Sequence, residues 1–139
     1  MVDGPGALVE RLRDATNAHD LDALVACFAE DYRNETPAHP ERSFRGRTQV
    51  RTNWAQIFSV IPDVHAELLE YTVDGDTVWS EWEHRGTRPD GSPHVMRGVA
   101  IFGIDAGVAA WARFYLEPVE DGGDDADAFR RRQLRVGGA

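Results

Sequence analysis

The most constraining feature of this sequence is its second half, where four strand-like segments alternate with short turn motifs. The segments are rich in β-branched and aromatic residues, and they span 65–73, 77–87, 93–104 and 108–119. The turns between them are Asp74-Gly75-Asp76, Pro89-Asp90-Gly91 and Asp105-Ala106-Gly107. Because short turns of this composition join antiparallel neighbours, the second half predicts a four-stranded antiparallel meander.

The first half of the chain has helical periodicity instead. Apolar residues recur at helical spacing in 7–18 and 21–28, and the clearest stripe lies in 47–61, which ends at Pro62. A short strand is predicted at 32–36, between the second and third helices. Helices grouped before strands are typical of an α+β fold. We expect a cone-shaped, strongly curved antiparallel or mixed β-sheet wrapped on the N-terminal helices.

Length and charge restrict the class of protein. A chain of 139 residues is expected to form one domain, which we place at 1–119, followed by a charged, disordered C-terminal tail at 120–139. The net charge of −9 argues against a nucleic-acid or anionic-membrane partner, which would require a basic face. No apolar run has the length of a signal peptide or a membrane span. We therefore expect a cytoplasmic protein.

A dense polar cluster lies in the stretch FAEDYRNETPAHP (28–40). Tyr32, Asn34 and Thr36 alternate along the predicted strand, so their side chains share one face. One interpretation is a hydrogen-bonding wall for a ligand or an ordered water. The alternative is that these side chains satisfy backbone groups of the loop and the strand edge.

The last predicted strand offers a second group of candidates on one face, namely Trp111, Arg113, Tyr115 and Glu117. An arginine between two aromatic residues could stack on their rings and hold a carboxylate or enolate oxygen. The alternative is an outer-face ladder at a dimer interface, where aromatic residues and arginine are enriched. The opposite face of the strand favours this alternative, because it is apolar: Ala112, Phe114 and Leu116.

Other candidates lie on the second long strand and the third helix. His84 could act as a general acid or base because the ordinary pKa of imidazole is near neutral, although a lone strand histidine is more often a packed residue. Trp82 shares its face. Trp54 and Phe58 are expected to roof the cone, both as core residues and as ligand contacts. The histidines lack the short spacing of a zinc site, so we expect no metal and no cofactor.

Five segments carry a resemblance to a known superfamily: NAHDLDALVACFAEDYRNETP (17–37), FRGRTQV (44–50), HRGTRPDGSP (84–93), RGVAIF (97–102) and WARFYLEPV (111–119). On these segments the chain resembles the nuclear transport factor 2-like superfamily and, within it, the SnoaL-like proteins. The resemblance implies a cone-shaped α+β domain that is often dimeric through its outer sheet face. It implies no single reaction, because this fold hosts isomerases, cyclases, hydrolases, binding domains and transport factors.

Ketosteroid isomerase resembles the chain around 17–37, which allows its catalytic positions to be compared. They look like Leu12, Thr36 and Ala100 here. None of these side chains can act as a carboxylate base or a phenolic donor. The resemblance therefore does not extend to the isomerase mechanism.

Two further relatives give partial matches. The water-holding pair of limonene epoxide hydrolase looks like Tyr32 and Asn34, but its Asp-Arg-Asp group falls near Gly98, Ala100 and Arg113, so the acid and base are missing. SnoaL-type polyketide cyclases use an aspartate late in the last strand, where Glu117 is the nearest carboxylate here.

These observations lead to two hypotheses. In the first, the protein binds a hydrophobic oxygenated metabolite and acts as a cofactor-independent enzyme of cyclase, isomerase or hydrolase type. Arg113 would stabilise an oxyanion, and His84 or Glu117 would move the proton. The expected ligand contacts are Tyr32, Asn34, Thr36, Trp54, Phe58, Trp82, Trp111 and Tyr115. In the second, the domain is a non-catalytic ligand-binding or dimerisation module. The expected partners are a small molecule and a second copy of the chain, with no nucleic acid or membrane.

Overall fold

A computed structural model describes residues 4–135 of the chain. Its elements are α1 (Ala7–Asn17), α2 (Leu21–Val25), β1 (Phe28–Glu35), a short 3-10 helix (Pro40–Arg42), β2 (Phe44–Arg45), α3 (Arg47–Val60), β3 (His65–Asp74), β4 (Thr77–Thr87), β5 (Pro93–Asp105), β6 (Val108–Pro118) and α4 (Ala126–Arg135). None of the described helices combines the length and the apolar character needed to cross a membrane.

The six strands form one mixed sheet in the order β2-β1-β6-β5-β4-β3. Strands β3 to β6 are the predicted antiparallel meander. Strand β1 lies parallel to β6, with Asn34 opposite Ala112, and β2 pairs antiparallel to β1. The predicted α+β class is confirmed. The two-residue strand β2 was not predicted, and β1 begins at Phe28 rather than at residue 32 because α2 is shorter than its apolar pattern suggests.

The sheet has two unlike faces, which we call the inner and the outer face. The inner face carries Val78, Ser80 and Trp82 of β4, all of them buried, and it packs against α1 and α3. The outer face carries the alternate residues of the same strands, such as Trp79 of β4 and Tyr115 of β6, which remain exposed. Burial of the inner face in one apolar cluster is the main source of stability.

The turn between α1 and α2 fastens the helices to the edge of the sheet. The Asn17 side chain donates to the carbonyl of Ala66 at 2.9 Å and accepts from its N–H at 2.7 Å. The His19 ring hydrogen-bonds the carbonyl of Val64 at 2.8 Å and stacks on Phe58, with ring centroids 5.0 Å apart. These contacts fix the position of α1 and of the segment before β3, and both border the cavity described below.

The C-terminal segment contains a helix where the sequence predicts a disordered tail. Asp125 accepts from the N–H of Ala128 at 2.9 Å, and Asp127 pairs with Arg130 one turn later at 3.0 Å. Acidic residues at its start and arginines at its end complement the helix dipole, so α4 forms although none of its residues is buried. Residues 136–139 lie outside the described part, and the domain boundary after residue 119 stays a prediction.

Candidate active site

A cavity of about 190 Å³ lies between the inner face of the sheet and helices α1 and α3. We call it the cone cavity. Its lining residues are Leu12, Thr16, Phe28, Trp54, Ile57, Val64, Trp82, His84, His94, Met96, Phe102, Phe114 and Leu116. Apart from the indole N–H groups of Trp54 and Trp82, only Thr16 and the two histidines among them carry side-chain donors or acceptors of nitrogen or oxygen. Among the described residues, no Asp, Glu or Arg side chain lines the cavity, so its wall is mainly apolar and includes two imidazoles.

The strand alternation explains how β4 contributes to this wall. Trp82 and His84 are two residues apart on β4, so both point to the inner face. The Trp82 indole N–H donates to Ser80 Oγ at 2.8 Å, and the Ser80 hydroxyl donates to the carbonyl of Ala100 at 2.6 Å. The indole is therefore held in place by a satisfied polar chain, and it presents only its apolar surface to the cavity.

His84 is the central polar group of the cone cavity. Its ring lies 5.9 Å from that of Trp54 and 6.0 Å from that of Trp82, between centroids. Burial lowers the pKa of His84 to about 4, and the nearby charge of His94 contributes in the same direction. No hydrogen bond joins either nitrogen of this ring to another group within residues 4–135. At neutral pH the site therefore holds an uncharged imidazole with an unused donor and an unused acceptor.

His94 lies on the neighbouring strand, opposite Gly86. Burial also lowers the pKa of His94, and the charge of Arg88 contributes in the same direction. Gly86 itself allows the segment before β3 to approach β4. A Cβ atom at this position would lie 2.3 Å from Cγ2 of Ile61 and 3.3 Å from Cα of Val64. The absence of a side chain at Gly86 therefore closes this side of the cavity.

Thr16 contributes the third polar group of the wall. Its hydroxyl donates to the carbonyl of Leu12 at 2.7 Å, within α1, and its side chain is buried. Because this hydrogen bond uses the only hydroxyl proton, Thr16 can act only as an acceptor toward a ligand.

The structure brings three of the predicted site residues to the cone cavity: Trp54, Trp82 and His84. Phe58 lies behind Trp54, with ring centroids 5.6 Å apart, and stacks on His19 instead of lining the cavity. Its predicted role as a core residue fits this position better than its predicted role as a ligand contact.

Tyr32, Asn34 and Thr36 share one face, as predicted, but they do not line the cone cavity. The Tyr32 hydroxyl donates to Asn34 Oδ1 at 2.7 Å, and the Asn34 amide donates to Thr36 Oγ1 at 3.4 Å. Burial raises the pKa of Tyr32 well above its ordinary value. The three side chains therefore form a hydrogen-bonded chain beside the core, in which each polar group is used by its neighbour.

The predicted residues of β6 lie on the outer face, away from the cavity. Arg113 stacks over the ring of Trp111, 4.8 Å from its centroid, and donates to Glu35 at 2.8 Å. Arg33 donates to the other oxygen of Glu35 at 3.0 Å. Hydrogen bonds from the two arginines lower the pKa of the Glu35 carboxyl, and the one from Arg113 contributes more than the one from Arg33. This cluster is a paired surface network on the opposite side of the sheet from His84.

Glu117 and Tyr115, which were also predicted to belong to the pocket, lie at the surface outside the cone cavity. Glu117 pairs with His39 at 2.9 Å and with Arg42 at 3.9 Å, and Tyr115 is 43% exposed. The physical reason is that the apolar alternate residues of β6, Phe114 and Leu116, enter the cone. Side-chain alternation then directs the odd-numbered residues of this strand outward.

Among the polar residues of the cavity wall, the prediction missed His94 and Thr16; it also missed the eight apolar residues other than the tryptophans. Antiparallel pairing across the turn at Pro89-Asp90-Gly91 places His94 opposite Gly86, two residues from His84, so the hairpin register could have identified it. Thr16 follows Leu12 by one helical turn, which is a weaker signal because threonine also occurs on buried helix faces. Within residues 4–135, no three His, Cys, Asp or Glu side chains are grouped so that they could hold a metal ion.

The model of the SnoaL-like domain family matches residues 9–114, which include every strand of the sheet at least in part and most of the cavity wall. A search of curated proteins found no match.

Solved structures share the fold. A candidate polyketide cyclase from Sinorhizobium meliloti is 28% identical, with a TM-score of 0.62 over 80% of this chain and 94% of that chain. A protein with a ketosteroid isomerase-like fold from Catenulispora acidiphila, in complex with trimethylamine, is 20% identical, with a TM-score of 0.68 over 78% and 84%. A nuclear transport factor 2-like protein of unknown function from Burkholderia pseudomallei is 18% identical, with a TM-score of 0.69 over 93% and 97%.

Proposed function

The chain belongs to the SnoaL-like domain family, and from this premise we propose that it binds a small hydrophobic, oxygenated molecule in the cone cavity. The observation that carries the proposal is an apolar cavity of about 190 Å³ whose wall includes His84, an imidazole with no hydrogen-bond partner within residues 4–135. Apolar walls with a few polar groups are typical of small-molecule sites. An apolar ligand gains from leaving water, and an oxygen on it gains a hydrogen bond to His84.

The similar structures support this proposal at the level of the fold. The Catenulispora acidiphila protein was crystallised in complex with trimethylamine, and the Sinorhizobium meliloti protein is described as a candidate polyketide cyclase. Both descriptions concern small organic molecules.

A matched pair of variants on β6 tests the proposal. Phe114→Trp adds bulk inside the cone cavity, whereas Tyr115→Trp makes a comparable change on the outer face. We expect toluene at millimolar concentration to raise the Tm of the wild type and of Tyr115→Trp by a few degrees, since binding to the folded state stabilises it. Phe114→Trp should show little or no shift. A wild type whose Tm does not respond to toluene or to any similar apolar molecule contradicts the proposal.

A second candidate function, catalysis without a cofactor, is favoured by the state of His84. An uncharged imidazole with free nitrogens can accept a proton from an acidic C–H or O–H group of a bound substrate. Its low pKa makes it a weak base, so the substrate would need to be an activated one. No carboxylate among the cavity residues competes for this role.

Turnover of the ligands that bind separates the two candidates. For an enzyme, His84→Gln should lower kcat by about 100-fold or more, the usual contribution of a general base, while binding changes by a few-fold only. Mass spectrometry of each ligand after incubation gives the readout. If the wild type binds these ligands and converts none of them, the domain is a binding module.

We also propose that two copies of the chain associate through the outer face. Exposed aromatic side chains on this face support the proposal, namely Trp79 and Tyr115, since aromatic residues are enriched in interfaces. Light scattering should give the mass of a dimer for the wild type and of a monomer for Trp79→Glu. A monomeric wild type at high micromolar concentration contradicts the association.

A further inference from the structure

The wall of the cone cavity restricts the charge, the size and the polar group of its ligand. Resting on the proposed function, we infer that the cavity selects an uncharged molecule of one ring that carries a hydroxyl group. The simplest probe of this class is p-cresol. Three independent features of the wall carry the inference.

The first feature is the lack of any counter-charge. No Arg, Asp or Glu side chain is among the residues that line the cavity. The charges of Arg88 and Asp63 act on the pKa of His94 in opposite directions, but neither residue lines the cavity. The Asp63 carboxylate already accepts from the N–H and the hydroxyl of Thr87 at 2.8 and 2.7 Å. An ion moved from water into such a site loses its hydration without a partner, which is strongly unfavourable. Carboxylate and ammonium ligands are therefore excluded.

The second feature is the size of the cavity. An apolar cavity of about 150 Å³ is known to hold one benzene molecule. The cone cavity, at about 190 Å³, has room for one ring with a small substituent. Five of its residues are aromatic: Phe28, Trp54, Trp82, Phe102 and Phe114. Phe102 and Phe114 already meet edge to face at 5.8 Å, and a flat aromatic ligand extends this arrangement.

The third feature is the balance of donors and acceptors. Thr16 can only accept, because its proton is used by the carbonyl of Leu12. His84 offers one acceptor and one donor, neither of which is used within the described chain, and His94 is a second imidazole in the same wall. A hydroxyl group can both donate to these acceptors and accept from an N–H, whereas a carbonyl or an ether can only accept. The wall therefore matches a hydroxyl group better than any other uncharged oxygen group.

A panel of isosteric ligands tests the inference by isothermal titration calorimetry at pH 7. The panel contains p-cresol, toluene, 4-methylanisole, 4-methylbenzoate and 4-methylbenzylamine. We expect p-cresol to bind about tenfold tighter than toluene and 4-methylanisole, because one additional hydrogen bond typically changes the affinity by about this factor. The two charged compounds should bind at least about 100-fold more weakly than p-cresol.

A matched pair of variants assigns the hydrogen bond. His84→Phe keeps a ring of similar size and removes both nitrogens, while His65→Phe makes the same change at an exposed position of β3. In His84→Phe, p-cresol should bind no tighter than toluene, and toluene should bind within about twofold of its wild-type affinity. In His65→Phe, the preference of about tenfold should remain. If His84→Phe does not fold, the ligand panel on the wild type still decides the inference.

The outcomes are distinct from those of the proposed function. Equal binding of p-cresol and toluene, or tight binding of either charged compound, overturns the inference while small-molecule binding stands. A preference for p-cresol that persists in folded His84→Phe overturns the role of this histidine. If no member of the panel binds, both the inference and the proposed function fail.

Discussion

The inner and the outer face of the sheet both carry tryptophan and an ionisable residue, but they differ in how the ionisable group is partnered. On the inner face, His84 lies between Trp54 and Trp82 without a hydrogen-bond partner in the described part of the chain, and burial keeps it uncharged at neutral pH. On the outer face, Arg113 stacks on Trp111 and pairs with a carboxylate. One face leaves its polar group free for a ligand, and the other uses it within the protein.

This difference shows why a high density of polar residues is a poor guide to a site. The hydrogen-bonded chain from Tyr32 to Thr36 and the Glu35 network are the most polar parts of β1, and in both each group already has a partner. A ligand would have to compete with these existing bonds. The cone cavity, in contrast, has few polar groups, and those of His84 are unused.

The largest expected contrast between the faces is in stability. Trp82→Ala should lower the free energy of unfolding by about 3–5 kcal/mol, because it removes a buried ring that lines the core. Trp79→Ala, three residues earlier on the same strand, should lower it by less than about 1 kcal/mol, since Trp79 is 48% exposed. Urea unfolding at equilibrium measures both. Similar losses for the two variants would show that the faces do not differ in packing.

A second contrast is in the dependence of stability on pH. The pKa of His84 is about 4 in the folded state and about 6.5 in the unfolded chain. Between these values the unfolded state binds a proton that the folded state does not. The contribution of His84 to stability is therefore complete above about pH 6.5 and is lost as the pH falls toward 4.

Unfolding of the wild type and of His84→Phe at pH 7.5 and pH 4.5 measures this contribution. The wild type should lose up to about 3 kcal/mol more than the variant over this range. The carboxylates titrate in both proteins, so they cancel in the comparison. An equal loss of stability in the two proteins would mean that the His84 ring is solvated in the folded state. It would contradict the conclusion that His84 is uncharged because it is buried.

A third contrast concerns ligand size. Leu116→Ala enlarges the cone cavity from β6, and Tyr115→Ala truncates the neighbouring side chain of the same strand on the outer face. We expect 1-naphthol, which has two rings, to bind about tenfold tighter to Leu116→Ala than to the wild type, equivalent to about 1.4 kcal/mol. Tyr115→Ala should bind it like the wild type. Calorimetry gives both affinities. If Tyr115→Ala changed the affinity as much as Leu116→Ala does, the ligand would bind on the outer face and not in the cone cavity.

The smallest effect is expected for the ion pairs of the outer face. Glu35→Gln should change the free energy of unfolding by less than about 1 kcal/mol, because exposed pairs contribute little and salt screens them. Since Arg113 and Arg33 lower the pKa of Glu35, its contribution is present above the ordinary pKa of a carboxyl and is lost as the pH falls through its folded value. Unfolding at low and at 1 M NaCl tests this, and a loss comparable with that of Trp82→Ala would refute it.

The sequence predicted the fold well because its signals are local. Each strand of the meander ends at a turn such as Asp74-Gly75-Asp76, and the stripe of α3 ends at Pro62, so these boundaries depend on a few neighbouring residues. Strand β2 has two residues and no periodicity, and it forms because β1 presents an edge to it. Pairing of this kind depends on distant residues and has no local signal.

The site was predicted less well because alternation leaves the direction of a strand face open. The pattern of β6 shows that Arg113 and Tyr115 share a side, but an apolar interior is needed to decide that Phe114 and Leu116 take the inner one. On β4 the same reasoning succeeded, because Trp82 and His84 share their face with Ser80 and Val78, which are buried. His94 required the register of the β4–β5 hairpin, which the alternation of side chains along a single strand does not provide.

The parallel pairing of β1 with β6 has a consequence for how the chain reaches its native state. Residues 28–35 pair with residues about eighty positions later in the chain, since Arg33 pairs with Trp111 and Glu35 with Arg113. Contacts of such long sequence separation slow folding, whereas the β3–β6 meander joins only successive strands. We expect the meander to form early and the N-terminal third to dock last. During synthesis on the ribosome, the cone cavity therefore has no complete wall until β6 has emerged.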